Sequence, residues 1–155
     1  MSTQLKERKT QLRGSPLEAA EKRGERGEGE RRLVVVGVGY VGLPLAEQAH
    51  RRGYSVTGID IDEEKVRELA SRLRSKNGVN PPLSFSTDFA AVADADIIAV
   101  CVPTPVYKNH VPNLRPLKAA CRDIGRHLQK GQLVILESTV NPYVTENIVV
   151  PLLER

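Results

Sequence analysis

The residues best suited to chemistry lie in one short run, Gly37-Val38-Gly39-Tyr40-Val41-Gly42. The run has the form G-x-G-x-x-G, which alone is weak evidence. Here a β-branched run, Leu33-Val34-Val35-Val36, precedes it, and helical spacing follows in Val41, Leu45, Ala46 and Ala49. A strand, a glycine turn and a helix start, in that order, make a phosphate site. Gly37 permits the tight turn, Gly39 lets the backbone approach a pyrophosphate, and Gly42 lets the helix sit close on the strand. The unpaired N–H groups of the helix's first turn then face the anion, with the helix dipole assisting. Pro44 comes early enough in the helix that its missing N–H is not needed.

Asp60 is the next candidate. It ends Val56-Thr57-Gly58-Ile59-Asp60, eighteen residues after Gly42 and twenty-three after Gly37. An acid about 20 residues on accepts hydrogen bonds from the adenosine ribose. A carboxylate there repels a 2′-phosphate, so NAD is expected rather than NADP. The competing reading is that Asp60 only begins the turn into the next helix, a capping role that Asp62 can also fill. Lys65 falls in the first turn of that helix. It can reach the ribose or adenine edge, or stand as a plain solvated lysine.

Two further strand ends carry polar groups. Cys101-Val102-Pro103-Thr104-Pro105 stiffens one loop and offers the Thr104 hydroxyl, and Glu137-Ser138-Thr139 closes another strand. Ligands of open α/β sheets bind beyond the carboxyl ends of strands, which puts Thr104 and Thr139 within reach of a dinucleotide. Cys101 is expected to be a buried, inert thiol of the apolar strand. His50, His110 and His127 are expected at the surface. No metal-ligand spacing exists, so neither a metal site nor a catalytic residue is assigned.

These residues need a frame. Strands are expected at Leu33–Val36, Ser55–Ile59, Leu83–Ser86, Ile97–Val102 and Leu133–Leu136. Helices are expected from Val41 to a stop at Gly53, over Asp62–Arg74, in a short stretch capped by Asp88, over Leu114–Leu128, and from Pro142 to Leu153. Residues 77–82 read as a loop. Alternation of strand and helix predicts an α/β fold, a Rossmann-type doubly wound parallel sheet with right-handed crossovers. One such domain, over residues 32–155, is expected.

Residues 1–31 have a different texture. Their apolar residues are Met1, Leu5, Leu12, Leu17, Ala19 and Ala20, and Glu21–Arg32 is Glu/Arg/Gly repetition. Such a segment cannot offset its ordering entropy, so a disordered charged arm is expected, with at most a transient helix over Ser15–Arg23. The net charge of +4 belongs mainly to it: residues 1–32 hold nine Lys/Arg against six Asp/Glu, residues 33–155 fourteen against thirteen. With mixed signs and no aromatic residue, the arm gives no reason to expect a nucleic-acid partner. No apolar run nears the roughly 18 residues of a membrane helix, and no signal peptide is visible, so no membrane partner and a cytoplasmic setting are expected.

Four segments together resemble one family, the UDP-glucose/GDP-mannose dehydrogenases. They are Gly37-Val38-Gly39-Tyr40-Val41-Gly42-Leu43-Pro44-Leu45-Ala46, Gly58-Ile59-Asp60-Ile61-Asp62-Glu63-Glu64-Lys65-Val66, Cys101-Val102-Pro103-Thr104-Pro105 and Leu136-Glu137-Ser138-Thr139-Val140. The run from Pro103 to Asn109 looks most like the branch that oxidises UDP-N-acetylhexosamines.

The resemblance implies the NAD-binding domain of an enzyme that takes the C6 hydroxymethyl of a nucleotide sugar to a carboxylate in two NAD-dependent steps. It implies that Tyr40, Val41, Asp60, Lys65, Thr104 and Thr139 contact NAD, and that Thr139 helps hold the catalytic water. The family's nucleophilic cysteine and most sugar contacts lie in later domains, so a separate chain carrying the middle and C-terminal catalytic domains is an expected partner.

The sequence departs from the family in three places. It stops at Arg155, before the Asn-Pro-Glu motif and the cysteine. The stretch before Leu83 lacks the usual Glu-Pro-Gly/Asp-Leu segment. Tyr143 follows Pro142 where glycine is usual. A standalone NAD-binding or regulatory module is the alternative reading. A 6-phosphogluconate-type dehydrogenase is a third, disfavoured because Asp60 is followed by Ile61 rather than by an arginine.

Overall fold

The computed structural model describes residues 31–74 and 82–154. The chain runs β1 (Arg32–Val36), α1 (Gly42–Arg51), β2 (Ser55–Ile59), α2 (Glu63–Arg74), β3 (Leu83–Ser86), a 3-10 turn (Phe89–Asp94), β4 (Ile97–Val100), α3 (Arg115–Gly125) and β5 (Leu133–Leu136). A π turn (Thr145–Val149) then leads into α4 (Val150–Leu153). The five strands are all parallel, in the order β3-β2-β1-β4-β5. This is the expected Rossmann-type doubly wound sheet. The chain leaves the centre at β1, steps outward to β3, and crosses back to β4. That reversal opens a crevice at the carboxyl ends of β1 and β4.

β1 is central because it is apolar on both faces. Val34 and Val36 join the larger core with Ile59, Ile98, Leu117, Cys121 and Ile124. Leu33 and Val35 join the other with Ala46, Val56 and Ala99. Side chains alternate along a strand, so one β-branched run serves both layers.

Capping follows the sequence. Asp62 accepts from the N–H groups of Glu64 and Lys65, both at 3.1 Å, and Asp88 accepts from Ala90 at 2.8 Å. Gly53, with φ +92°, ends the first helical stretch.

Three boundaries differ from expectation by more than one residue. β4 stops at Val100, not Val102, because its neighbour β1 turns away at Gly37 and Pro103 has no N–H to continue a ladder. α3 covers Arg115–Gly125, and only turn bonds such as His127 N–H to Ile124 O, 2.9 Å, continue it to Leu128. The last helix does not begin at Pro142. Tyr143 holds a left-handed φ of +69°, and the ladder then slips to π spacing ahead of Pro151, which cannot donate to a helical carbonyl.

The histidines also differ. His110 is exposed, but His50 and His127 are half-buried. Residues 1–30 of the expected arm, with its transient helix, and residues 77–81 of the expected loop lie outside the described residues. Among the described residues no helix is long and apolar enough to cross a membrane.

Candidate functional site

Between β1 and α1 the chain makes the turn that its glycines allow. Gly37 has φ +92°, and a Cβ there would stand 2.8 Å from the Cys101 carbonyl oxygen. A Cβ on Gly42 would fall 1.8 Å from the Gly37 carbonyl oxygen, so α1 starts in contact with the turn below it. Gly39 is different: nothing lies within 4 Å of where its Cβ would be. Two glycines are required by the protein's own packing, and the third keeps a space open. No side chain caps the start of α1. Within its first turn Leu43 and Leu45 donate to the Gly39 and Val41 carbonyls, at 3.0 and 3.2 Å, and Pro44 has no N–H, so the backbone that borders the space is that of Gly39, Tyr40 and Val41.

The space is the mouth of a cavity of about 680 Å³ at the carboxyl ends of β1, β2, β4 and β5. Such a volume lies in the range of cofactor sites. Gly37, Gly39, Tyr40, Val41, Asp60, Lys65, Thr104 and Thr139 all line it. Gly42, the ninth sequence candidate, does not. It is buried behind the wall, against Gly37 and the Cβ of Cys101. Tyr40 and Val41 stand exposed at the rim.

Asp60 is anchored as well as positioned. One carboxylate oxygen, Oδ2, accepts from the Val38 N–H at 3.1 Å and from Lys65 Nζ at 3.0 Å. The other, Oδ1, accepts from the Asp62 N–H at 3.1 Å. The Asp60 side chain is 10% exposed and that of Lys65 38%. The carboxylate thus belongs to the loop and faces the cavity at the same time.

The far wall joins two loops. Thr104 Oγ1 donates to the Thr139 carbonyl at 2.8 Å, and Ser138 Oγ donates to the Val102 carbonyl at 2.7 Å. Each hydroxyl ties the loop after β4 to the end of β5. Cys101 is not the buried strand residue expected: it lies one residue past β4, half-buried, in the cavity wall. Burial, and secondarily the charge of Glu137, push its thiol from the usual 9.0 to about 11. It is therefore a poor nucleophile.

Sequence reasoning missed part of the wall. Ile61 is 86% exposed at the mouth, and α3 contributes Pro116, Ala119, Ala120 and Asp123. The Ala119-Ala120 pair was the available signal, since small residues let a helix approach a ligand. Gly58 was also passed over. A Cβ there would meet Phe85 at 2.6 Å and Val38 at 2.7 Å, so glycine is what lets β3 and the phosphate loop close over β2.

The donor set fits a dinucleotide. The glycine-loop backbone at Gly39, Tyr40 and Val41 suits a pyrophosphate, a fixed carboxylate suits ribose hydroxyls, and the apolar stretch between them, with Val36, Ile59 and Val102, suits flat rings. Among the described residues no group of His, Cys, Asp and Glu is arranged to hold a metal ion.

Comparison with known proteins bears on this geometry. The chain is 38% identical over 131 residues to the UDP-N-acetyl-D-glucosamine 6-dehydrogenase of Pseudomonas aeruginosa, a match covering 80% of this chain and 31% of that protein. It is 34% identical to the UDP-N-acetyl-D-mannosamine dehydrogenase of Methanococcus aeolicus, over 76% of this chain and 29% of that one. Its fold superposes on the GDP-mannose dehydrogenase of Pseudomonas aeruginosa with a TM-score of 0.73 at 32% identity, covering 79% of this chain and 32% of the other. The UDP-glucose dehydrogenase of Pyrobaculum islandicum gives 0.71 at 30%, over 83% and 33%. The chain thus spans about a third of the length of these relatives. Residues 31–155 match the model of the UDP-glucose/GDP-mannose dehydrogenase family, NAD binding domain, and the chain belongs to that family as its NAD-binding part.

Proposed function

We propose that these residues form the cofactor half of a cytoplasmic nucleotide-sugar 6-dehydrogenase acting on a UDP-N-acetylhexosamine or UDP-glucose. The polypeptide supplying the nucleophile and the sugar contacts is one this chain works with. The observation carrying this reading is the single cavity into which the phosphate loop, Asp60, Thr104 and Thr139 converge. The relatives named above as dehydrogenases of UDP-N-acetylated sugars support the substrate class.

When bound, NAD supplies the hydride acceptor for oxidation of a primary alcohol. The chain's own residues bind and orient it. The α1 N-terminus holds the pyrophosphate beside Gly39. Asp60 accepts from the adenosine-ribose hydroxyls, and Tyr40, Val41 and Lys65 flank that half. Thr104 and Thr139 border the nicotinamide end, where the bond between their loops sets the width of the groove. In this reading Thr139, on the same wall, also helps hold a water. Cys101 contributes no nucleophile, because its thiol stays protonated at neutral pH.

Calorimetric titration with NAD, and separately with UDP-N-acetylglucosamine, tests the reading. NAD should bind, and the chain alone should not reduce it when the sugar nucleotide is added. Reduction by the chain alone would overturn the division of labour. No NAD binding would overturn the site.

A further inference from the structure

α3 meets the cavity along one stripe. Pro116, Ala119, Ala120 and Asp123 line the wall, at the spacing i, i+3, i+4 and i+7 that puts residues on one helix face. Proline and two alanines make a low apolar surface, suited to the flat face of a ring. Asp123 is the one charged residue of the stripe and stands at its end.

The stripe belongs to the adenosine side of the cavity. Leu117 and Ala120 share a core with Ile59, the residue before Asp60, and with Val92 of the 3-10 turn. Phe89 opens that turn, lines the cavity, and follows β3, the strand paired with β2. Phe89 and α3 are thus tied to the end of β2. Thr104, Ser138 and Thr139 instead join the loop after β4 to β5. A base attached to the ribose at Asp60 therefore meets Phe89 and α3.

The acids nearer the ribose are already in use. Both Asp60 oxygens accept from the protein, and Asp62 Oδ1 caps α2. Asp123 keeps one oxygen for a ligand. Its Oδ1 accepts from Arg126 Nη1, and among the described residues nothing donates to Oδ2. The Arg126 side chain is 69% exposed and that of Asp123 34%, so the carboxylate is the inner member of the pair.

Purines differ at the point such a group can read. Adenine carries a 6-amino donor, whereas hypoxanthine and guanine carry a 6-oxo acceptor. An ionised carboxylate only accepts, so it pairs with the first and repels the second.

We infer that Asp123 selects the base of the dinucleotide: its carboxylate accepts from the 6-amino group of adenine and disfavours 6-oxopurine dinucleotides. The inference rests on the reading of this cavity as the NAD site. Arg126 is a positioning residue, which holds Oδ1 and leaves Oδ2 to the base.

The probe is nicotinamide hypoxanthine dinucleotide, in which a 6-oxo group replaces the 6-amino group of NAD. Calorimetric titration of the 155-residue chain with each ligand should show NAD binding about tenfold more tightly, equivalent to about 1.4 kcal/mol. Asp123→Ala should bring the two affinities to within about twofold, chiefly by weakening NAD. The amide of Asp123→Asn can donate to a carbonyl as well as accept from an amine, and its oxygen can keep the Arg126 bond. That variant should also close the gap, but by strengthening the 6-oxo ligand, a movement that a merely structural role would not produce. Arg126→Gln should narrow the ratio to about threefold. Melting temperatures of all three should stay within a few degrees of the wild type. Equal affinities in the wild type overturn the inference, as does a tenfold gap that survives in Asp123→Ala or Asp123→Asn. NAD binding without discrimination leaves the cofactor site standing and removes Asp123 from it, whereas no NAD binding at all overturns both.

Discussion

The carboxylate of Asp60, at the end of β2, accepts a hydrogen bond from the backbone N–H of Val38, inside the phosphate loop, at 3.1 Å. One side chain therefore connects the place where a ribose would lie to the place where a pyrophosphate would lie. Removing it should be felt at both. Asp60→Ala leaves the Val38 N–H unpaired in a part-buried position, at a cost of about 1–3 kcal/mol. It should weaken NAD binding by about one to two powers of ten. NADP binding should fall less, because the lost like-charge contact offsets part of the damage. Parallel titrations with both cofactors check this, and equal losses would reduce Asp60 to a loop support.

Lys65 tunes the same preference. Its ammonium lies 3.0 Å from Asp60 Oδ2 and is part exposed, so the pair should add under about 1 kcal/mol to stability. Its larger effect should be on cofactor choice, since it softens the repulsion between Asp60 and a 2′-phosphate. Lys65→Met should leave NAD affinity within about threefold and lower NADP affinity further, by about tenfold. A rise in NADP affinity would show that the lysine does not face the phosphate position.

The glycines of the loop separate folding from binding. Gly42→Ala forces a Cβ to within 1.8 Å of a carbonyl oxygen and should cost about 3 kcal/mol or more. Gly39→Ala meets nothing within 4 Å, so its stability should change by no more than about 0.5 kcal/mol. Its methyl group would enter the anion's space, and NAD affinity should fall by at least about tenfold. Thermal melts and NAD titrations on the two variants should therefore give opposite patterns. A Gly39→Ala protein that binds NAD normally would move the pyrophosphate elsewhere.

Much of this arrangement is legible in the sequence because local rules and tertiary demands agree. Leu33–Val36 is apolar at every position, which only a strand buried on both faces requires. The turn at Gly37 and the acid at Asp60 sit at spacings set by the length of one β-α-β unit. What was not legible depends on distant partners. Whether β4 ends at Val100 or Val102 is decided by where β1 turns away. The anchoring of Asp60 by Val38 needs a fold that brings residues 22 apart into contact. Gln132, in an unremarked loop, donates to the Val92 and Ala95 carbonyls at 2.6 and 2.7 Å and so fixes the approach to β5. No pattern announces a bond across 40 residues.

Tyr143 is a strained position with a simple remedy. Its φ of +69° costs an L-residue with a bulky side chain roughly 1–2 kcal/mol, and its side chain is largely exposed, with little packing to lose. Asparagine tolerates the left-handed region better. Tyr143→Asn should raise stability by about 0.5–1 kcal/mol, seen as a rise of a few degrees in melting temperature. A fall would mean that the tyrosine ring is held by contacts worth more than the strain.

The two cysteines predict a loss of stability in alkali. Burial pushes the Cys121 thiol from 9.0 to about 11, and burial with the Glu137 charge does the same for Cys101. A pKa raised by folding means that the native state holds the proton more tightly than the unfolded chain. The resulting stabilisation is complete below about pH 9 and is lost as pH rises through about 11. Lysines and tyrosines titrate in the same window, so the informative quantity is the difference between proteins. Cys121→Ala removes one thiol from the core, and its stability should fall less steeply than the wild type's from pH 9 to pH 11. The difference should approach about 1.4 kcal/mol per pH unit in mid-window. Denaturant unfolding across that range measures it, and identical slopes would place the titrating groups elsewhere. Cys101 gives a second readout. A thiol held near 11 should react with iodoacetamide at pH 8 about ten- to a hundredfold more slowly than a free one, the higher nucleophilicity of its thiolate offsetting part of its scarcity. Because Cys101 lines the cavity, saturating NAD should slow it further while leaving the fully buried Cys121 unaffected.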